Sequence, residues 1–339
     1  MKTRISFDEM QSTVCKAFVR AGMPEEKAEI CARIHTESSR DGVYSHGLNR
    51  VERFVEYLHK GWVNPHGTPE LVNSLGNMEV YDGHLGPGIL NAISCMDRAT
   101  ELAASHGMGM VSLRNTTHWM RGGTYGWQAA EKGFISMCWT NTESCMPVWG
   151  SRSSSIGNNP FIIGIPRTEG HIVLDMAMSQ YSYGKLQVTR LAGQKLPYPG
   201  GFDDEGQLTD DPGTIEETRR ILPMGYWKGS GFAVMLDLLS ALLSGGLTTA
   251  GVDKKNLGSC GSCCQIFIAI DPLKINDQTF IDEALTGTIE QLRNAVPASP
   301  DGKINYPGER SLQTREENSR LGIPVDESVW SKVKELADI

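Results

Sequence analysis

No stretch of this sequence stays apolar for the ~20 residues that a membrane helix needs, and its first residues, Met1-Lys2-Thr3-Arg4-Ile5-Ser6, lack the hydrophobic core of a secretory signal. The expectation is a cytoplasmic protein. Positive charge is scarce too: 32 Lys and Arg against 40 Asp and Glu leave a net charge of −8. That balance offers no electropositive footprint for nucleic acid or a membrane surface, so an anionic ligand has to be held by a local site. Cysteine is sparse, with 8 in 339 residues, too few and too scattered for a disulfide framework. Reduced thiols are expected, and Cys15, Cys31 and Cys95 fall in amphipathic helical patterns where cysteine acts as a small hydrophobe.

Several signatures of common enzymes are missing. A Rossmann site needs G-x-G-x-x-G between strand and helix so that backbone amides can approach a pyrophosphate. The nearest string, Gly86-Pro87-Gly88, continues Ile89-Leu90-Asn91, and its proline removes an N–H donor. With no G-x-x-x-x-G-K-[ST] loop, H-E-x-x-H helix or G-x-S-x-G elbow, kinase, zinc-protease and α/β-hydrolase readings lose their support. Cys260-Gly261-Ser262-Cys263 has C-x-x-C spacing but no second ligand pair, so it reads as a loop entering a strand, and no metal is expected.

What is present is an ordinary globular composition, 40% hydrophobic and 21% charged, over a length that predicts two interpenetrating domains. Ser6 and Glu9 form a capping box, Ile5 and Met10 its hydrophobic staple, and Val14 and Phe18 continue the apolar face of a first helix. Pro24-Glu25-Glu26 opens a second helix through Ile30, Cys31 and Ile34. A third is expected from near Ser45 through Leu48, Val51, Val55 and Leu58, stopping at Gly61. From Met78 the periodicity changes. Strands are predicted at Val80–Tyr81, Met108–Leu113, Phe134–Trp139, Phe161–Ile165, Ile172–Met176 and Gln265–Ile270. Helices are predicted at Gly88–Ser105 and Phe232–Leu243, the latter apolar enough to be buried on most sides. Gly200–Pro212 reads as a polar surface loop. Phe280–Ala295 and Asp326–Leu336 read as closing helices, separated by a Pro/Gly-rich stretch from Pro297 to Pro307.

Four strings combine groups that carry chemistry. Ser45-His46-Gly47-Leu48-Asn49-Arg50 puts an imidazole and a guanidinium four residues apart at the predicted helix start. Carbonyl reduction needs a proton donor, which histidine supplies near neutrality, and a neighbouring carboxylate needs a planar fork. From spacing alone, a solvated helix face is the plainer alternative. His118, in Asn115-Thr116-Thr117-His118-Trp119-Met120-Arg121-Gly122-Gly123, follows a strand where loops line clefts, or else simply satisfies its turn. Pro223-Met224-Gly225-Tyr226-Trp227-Lys228-Gly229-Ser230-Gly231 brings a lysine and an indole to a positive helix end suited to phosphate. Pro307-Gly308-Glu309-Arg310 is a tight turn whose arginine either pairs with phosphate or lies in solvent.

Around these strings the sequence resembles the malate/L-lactate dehydrogenase family that lacks a Rossmann fold, and within it the 2,3-diketo-L-gulonate reductases, over nearly the whole chain. Gly42-Val43-Tyr44-Ser45-His46-Gly47, the His118–Gly133 segment, Arg190-Leu191-Ala192-Gly193, Gly201–Gly206, Leu222–Gly231 and Gln265–Ile270 carry the likeness. The resemblance implies an α/β (α+β) fold like that of L-sulfolactate dehydrogenase. A mainly helical domain from both chain ends (1–75 and 280–339) would pack on a mixed α/β cofactor-binding domain (76–279), in a homodimer. It implies reduction of a 2-oxo acid by a nicotinamide cofactor, with NADH preferred and NADPH possible. His46 would be the acid/base group, assisted by Ser45, with Arg50 on the substrate carboxylate. Related dehydrogenases give the acid/base role to the histidine matching His118, so the two compete. Cofactor contacts would come from His171, Ile172, Val173, Leu174, Asp175, Met176, Ala177, Trp227, Lys228, Gly308, Glu309 and Arg310.

The sequence departs from the reductases at Arg310, in the cysteine-rich loop Gly258–Cys264 and in the segment Thr142–Met146. The last two bear on which substrate fits. Malate, lactate, ureidoglycolate or a cyclic imino acid are alternatives on the same machinery. A nucleotide-binding protein without catalysis is the alternative of another class, and the intact His46, Arg50, His118 and Lys228 oppose it.

Overall fold

The capping box forms as read: in the computed structural model, which describes residues 3–299 and 302–338, Ser6 Oγ accepts a hydrogen bond from Glu9 N at 3.2 Å. Pro300 and Asp301, inside the Pro/Gly-rich stretch, lie outside the described residues. Strand β1 (Arg4–Ile5) leads into α1 (Phe7–Arg20), followed by α2 (Glu25–Arg40) and α3 (Val51–His59). Strands β2 (Glu70–Leu75) and β3 (Met78–Asp82), helix α4 (Gly88–His106), β4 (Met108–Thr116), α5 (Gly123–Glu131) and β5 (Ile135–Thr140) come next. The middle of the chain adds β6 (Met146–Pro147), β7 (Ser154–Ile156), β8 (Phe161–Ile165), β9 (Ile172–Met176), α6 (Tyr183–Leu191), β10 (Gly201–Phe202), β11 (Leu208–Thr209) and α7 (Pro212–Thr218). The long helix α8 (Trp227–Ser244), α9 (Thr249–Lys255), β12 (Cys263–Ile270), α10 (Gln278–Arg293), α11 (Glu309–Leu321), β13 (Ile323–Pro324) and α12 (Glu327–Ala337) complete it.

Seven strands form one mixed sheet in the order β2-β3-β4-β12-β5-β8-β9, antiparallel throughout except between β3 and β4. β12 sits at its centre with both faces covered, which is why Cys263–Ile270 reads as a nearly unbroken apolar run. One apolar cluster gathers Met10, Val14, Phe18, Phe54 and Val55 with Ile323, Val325, Trp330 and Val333 from the other end of the chain. β1 pairs with β13 at that junction. A second cluster lies under α4 and α5, and a third, including Trp139, Met178, Leu186, Leu236 and Ile266, covers the opposite face.

The structure corrects several expectations. No helix begins at Ser45; two 3₁₀ turns, Tyr44–His46 and Leu48–Arg50, precede α3. Gly47 breaks the run at φ −116°, ψ −123°, where a Cβ would lie 2.2 Å from Ser39 Oγ, so only glycine lets this segment press onto α2. α8 begins five residues earlier than read and is not buried on most sides, for Trp227, Met235, Leu238 and Leu242 form an uncovered apolar stripe. Gly200–Pro212 holds the β10–β11 hairpin. Gly308 and Glu309 open a helix, α11, whose polar sequence gave no periodic signal. The edge strand β2, exposed along its whole length, also escaped the alternation test. Among the described residues no single helix is long and apolar enough to cross a membrane.

Candidate active site

The Gly47 break aims His46 away from α2 and toward the loop after β4. Its ring stacks on His118 with centroids 5.8 Å apart and planes inclined by 26°. Ser45 Oγ lies 3.0 Å from His46 Nδ1, and Ser45 itself abuts Gly184 at the start of α6. Both rings are half-buried: water reaches them, yet protein atoms close round them from the other sides. Burial, reinforced by the charges of Arg50 and Arg121, pushes His46 down to about 3. His118 is also driven well below its ordinary value, by burial and then by Arg50 and His46.

The two imidazoles differ in one respect. The backbone N–H of Met120, held at φ +64°, donates to His118 Nδ1 at 2.9 Å. That nitrogen therefore carries no proton, and the neutral His118 ring bears its hydrogen on Nε2. Protonating Nδ1 would set two N–H groups against each other. His46 has no such lock, because a serine hydroxyl can turn to donate or accept.

Arg50 and Arg53 border a narrow cavity with Phe54, Tyr57, Val63, Thr117, His118 and Met120. Arg50 forms no ion pair among the described residues; its one side-chain hydrogen bond is a long one, 3.5 Å, to Ser259 Oγ. Arg121, which no pattern in the sequence singles out, is a buried member of the site. It donates to Asp41 Oδ2 at 2.7 Å, and Asp41 also receives Arg315 (2.9 and 2.7 Å) and Arg40 (3.1 Å). The charge of Arg121 acts on both His46 and Asp175 and so bridges the histidine pair and the sheet edge.

At that edge, β9 carries most of the cofactor candidates. Val173 and Asp175 share the face under α5, where Asp175 Oδ2 accepts from Gly123 N at 2.8 Å. Asp175 is itself exposed to solvent at this edge; the protein packed round its carboxyl still raises it, offset in part by Arg121 and by that N–H. Ile172, Leu174 and Met176 alternate to the other face, with Ala177 after them, all half-buried. His171 Nδ1 accepts from Arg167 N at 3.1 Å, with its ring centroid 5.8 Å from that of Trp127.

The turn at 307–310 docks on the free edge of this strand, with Val173 N donating to Pro307 O at 2.9 Å. Gly308 sits at φ +93°, and a Cβ there would meet Val173 N at 3.1 Å. Glu309 Oε2 accepts from Tyr306 N at 3.2 Å and so closes the turn, while Arg310 projects into solvent without a side-chain partner among the described residues. Trp227 and Lys228 stand exposed at the start of α8, tied to the end of the strand through Met224 N and Met178 O at 2.8 Å. The fold thus brings Ser45, His46, Arg50 and His118 together, and sets 171–177 and 308–310 side by side. Trp227 and Lys228 lie farther along the same edge.

The family model for malate/L-lactate dehydrogenase matches residues 5–334. Over 333 residues, 98% of this chain and 100% of the relative, the sequence is 46% identical to a 2,3-diketo-L-gulonate reductase of Citrobacter koseri. Among solved structures, a sulfolactate dehydrogenase from Methanocaldococcus jannaschii superposes with a TM-score of 0.89 at 26% identity, covering 99% of this chain and 97% of that one. A malate dehydrogenase from Pyrococcus horikoshii OT3 gives 0.89 at 28% identity, covering 99% and 95%. The chain is an oxidoreductase that acts on a small molecule with a nicotinamide cofactor, and it belongs to the malate/L-lactate dehydrogenase family.

Proposed function

We propose that the chain reduces the C2 carbonyl of 2,3-diketo-L-gulonate, or a close sugar-derived 2-oxo acid, to the 2-hydroxy acid with NADH as donor, and that His46 delivers the proton. The Met120 N–H on His118 Nδ1 carries the choice between the histidines. With its one hydrogen on Nε2, His118 is suited to donate a hydrogen bond that polarises the carbonyl, not to cycle a proton. His46 is free to cycle, with Ser45 beside its other nitrogen. Arg50, a half-buried cation with no carboxylate of its own among the described residues, is suited to the substrate carboxylate. Substrate anion bound there would also cancel part of the field that depresses His46, raising its basicity when the substrate is in place.

The residues present fit the cofactor. Gly308 lets the turn lie close against the Val173 backbone, and Lys228 and Arg310 carry charges unpaired among the described residues, Lys228 at the N-terminus of α8. When bound, the nicotinamide supplies the hydride, and β9, Trp227-Lys228 and Gly308-Glu309-Arg310 would hold the cofactor. In this reading 1–75 with 280–339 and 76–279 act as two domains. Two copies of the cytoplasmic chain pair through the α8 stripe, where Leu242 is 78% exposed and Met235 53%.

The test follows 340 nm absorbance as purified protein meets NADH or NADPH and a panel of 2-oxo acids that includes 2,3-diketo-L-gulonate. Fast oxidation of NADH with the diketo acid is expected. Activity confined to malate-, lactate- or imino-acid-type substrates would move the chain elsewhere in its family, and cofactor binding without any turnover would favour the non-catalytic reading. His46→Asn should lose most of kcat while still binding cofactor; retained turnover would move the proton to His118.

A further inference from the structure

The segment Thr142–Met146 and the loop Gly258–Cys264 meet beside Arg50. Glu143 Oε1 accepts the Ser259 hydroxyl at 2.8 Å, and Glu143 Oε2 accepts Cys260 N at 2.8 Å and the Cys260 thiol at 3.4 Å. Tyr57 Oη accepts Ser259 N at 2.9 Å, and Ser259 Oγ in turn faces Arg50 Nη2. The carboxylate thus reaches the guanidinium only through a hydroxyl. We propose that Glu143 is a positioning residue for substrate binding, which pins the loop 258–264 and, through Ser259, orients the Arg50 fork while leaving its charge unneutralised.

The reasoning is one of competition. A carboxylate bonded directly to Arg50 would occupy the donors that a 2-oxo acid needs and would have to be displaced at every turnover. A hydroxyl between them accepts one N–H and leaves the remaining donors and most of the positive field for the incoming anion. Because the Ser259 hydroxyl donates its hydrogen bond to Glu143, the serine lone pairs are turned toward Arg50. The charge of Glu143 still acts on Arg50 from beyond the serine, against the depressing effects of burial and of Arg53. Two separate parts of the sequence thereby set one grip.

This rests on the reading of Arg50 as the carboxylate grip, so Arg50→Lys is measured alongside. With the best 2-oxo acid of the panel, Glu143→Gln and Ser259→Ala should each raise its KM roughly ten-fold, the scale of one hydrogen bond to a charged group, with kcat and the cofactor KM nearly unchanged. Ser259→Thr, which keeps the hydroxyl, should stay close to the parent. The double variant Glu143→Gln/Ser259→Ala should be no worse than either single one, because both break one relay. An unchanged substrate KM in the two single variants while Arg50→Lys raises it would overturn the proposal alone. A parallel fall of kcat and melting temperature without a KM change would also overturn it, since that is what a merely structural loop contact predicts. An unchanged KM in Arg50→Lys would instead remove the reading beneath it.

Discussion

Asp41 at the C-terminal end of α2 is the sharpest place to perturb this molecule. Its side chain is 2% exposed and holds Arg121, itself 6% exposed, together with Arg315 at 26%. Asp41→Asn keeps the shape and removes the charge. Arg315 can turn toward water, but Arg121 cannot, and breaking one side of a buried pair costs about 3–5 kcal/mol because the partner is left uncompensated. With an unfolding entropy of roughly 2.1 cal/mol/K per residue over 339 residues, that corresponds to a melting temperature lower by about 4–7 °C. Differential scanning calorimetry at pH 7 reads it. Asp41→Asn/Arg121→Met, which removes both charges, should melt above the single variant. A single variant within about 1 °C of the parent would refute the view that this carboxylate neutralises a buried guanidinium. Burial alone would raise the Asp41 carboxyl, but hydrogen bonds from Arg315 and the charges of Arg121, Arg315 and Arg40 hold it below the usual range. Its contribution is therefore present above that range and vanishes as pH falls through the native value.

Three further outcomes are expected. His35, buried between Phe18 and Phe54 and held down to about 4 by burial, stays neutral in the native state, whereas the unfolded chain takes up its proton near 6.5. Stability should fall as pH drops from 6.5 to 4, by about 3 kcal/mol for this group, and urea titrations of His35→Phe should show a flatter acid limb. Gly308→Ala forces a Cβ onto the Val173 backbone at φ +93° and should raise the cofactor KM several-fold through displacement of the turn, with kcat at saturation little changed. Leu242→Glu, on the open face of α8, should convert the proposed dimer to monomer in sedimentation velocity; a parent that already sediments as a monomer counts against pairing through this stripe.

Much of the fold was legible because local chemistry and tertiary packing agree there. The Ser6–Glu9 box starts α1 where it should, and Phe161–Ile165 and Ile172–Met176 were bounded to the residue by their flanking prolines, glycines and polar turns. Where local and tertiary demands differ, the sequence misled. The run Ser45–Leu58 has helical spacing, yet Gly47 must press on Ser39, and contact with α2 overrides the spacing. α11 is held by Arg4 and Asp41, and the turn that leads into it by Val173, and none of these neighbours is near in sequence. In the site, His46, His118 and Arg50 could be picked by residue type. Arg121 and Glu143 could not, for their importance lies in partners 80 and 116 positions away.

The pairing of β1 with β13 has a consequence for how the protein is made. Met10, Val14 and Phe18 are synthesised hundreds of residues before Trp330 and Val333, with which they share one core. A chain emerging from the ribosome at roughly 5–20 residues per second would hold those apolar side chains uncovered for tens of seconds, while the sheet between them is already able to close. The layer that carries His46 and Arg50 is thus the last to be sealed. Until it is, an apolar face stays open to solvent, and removal of α12 should leave the sheet without a working cleft.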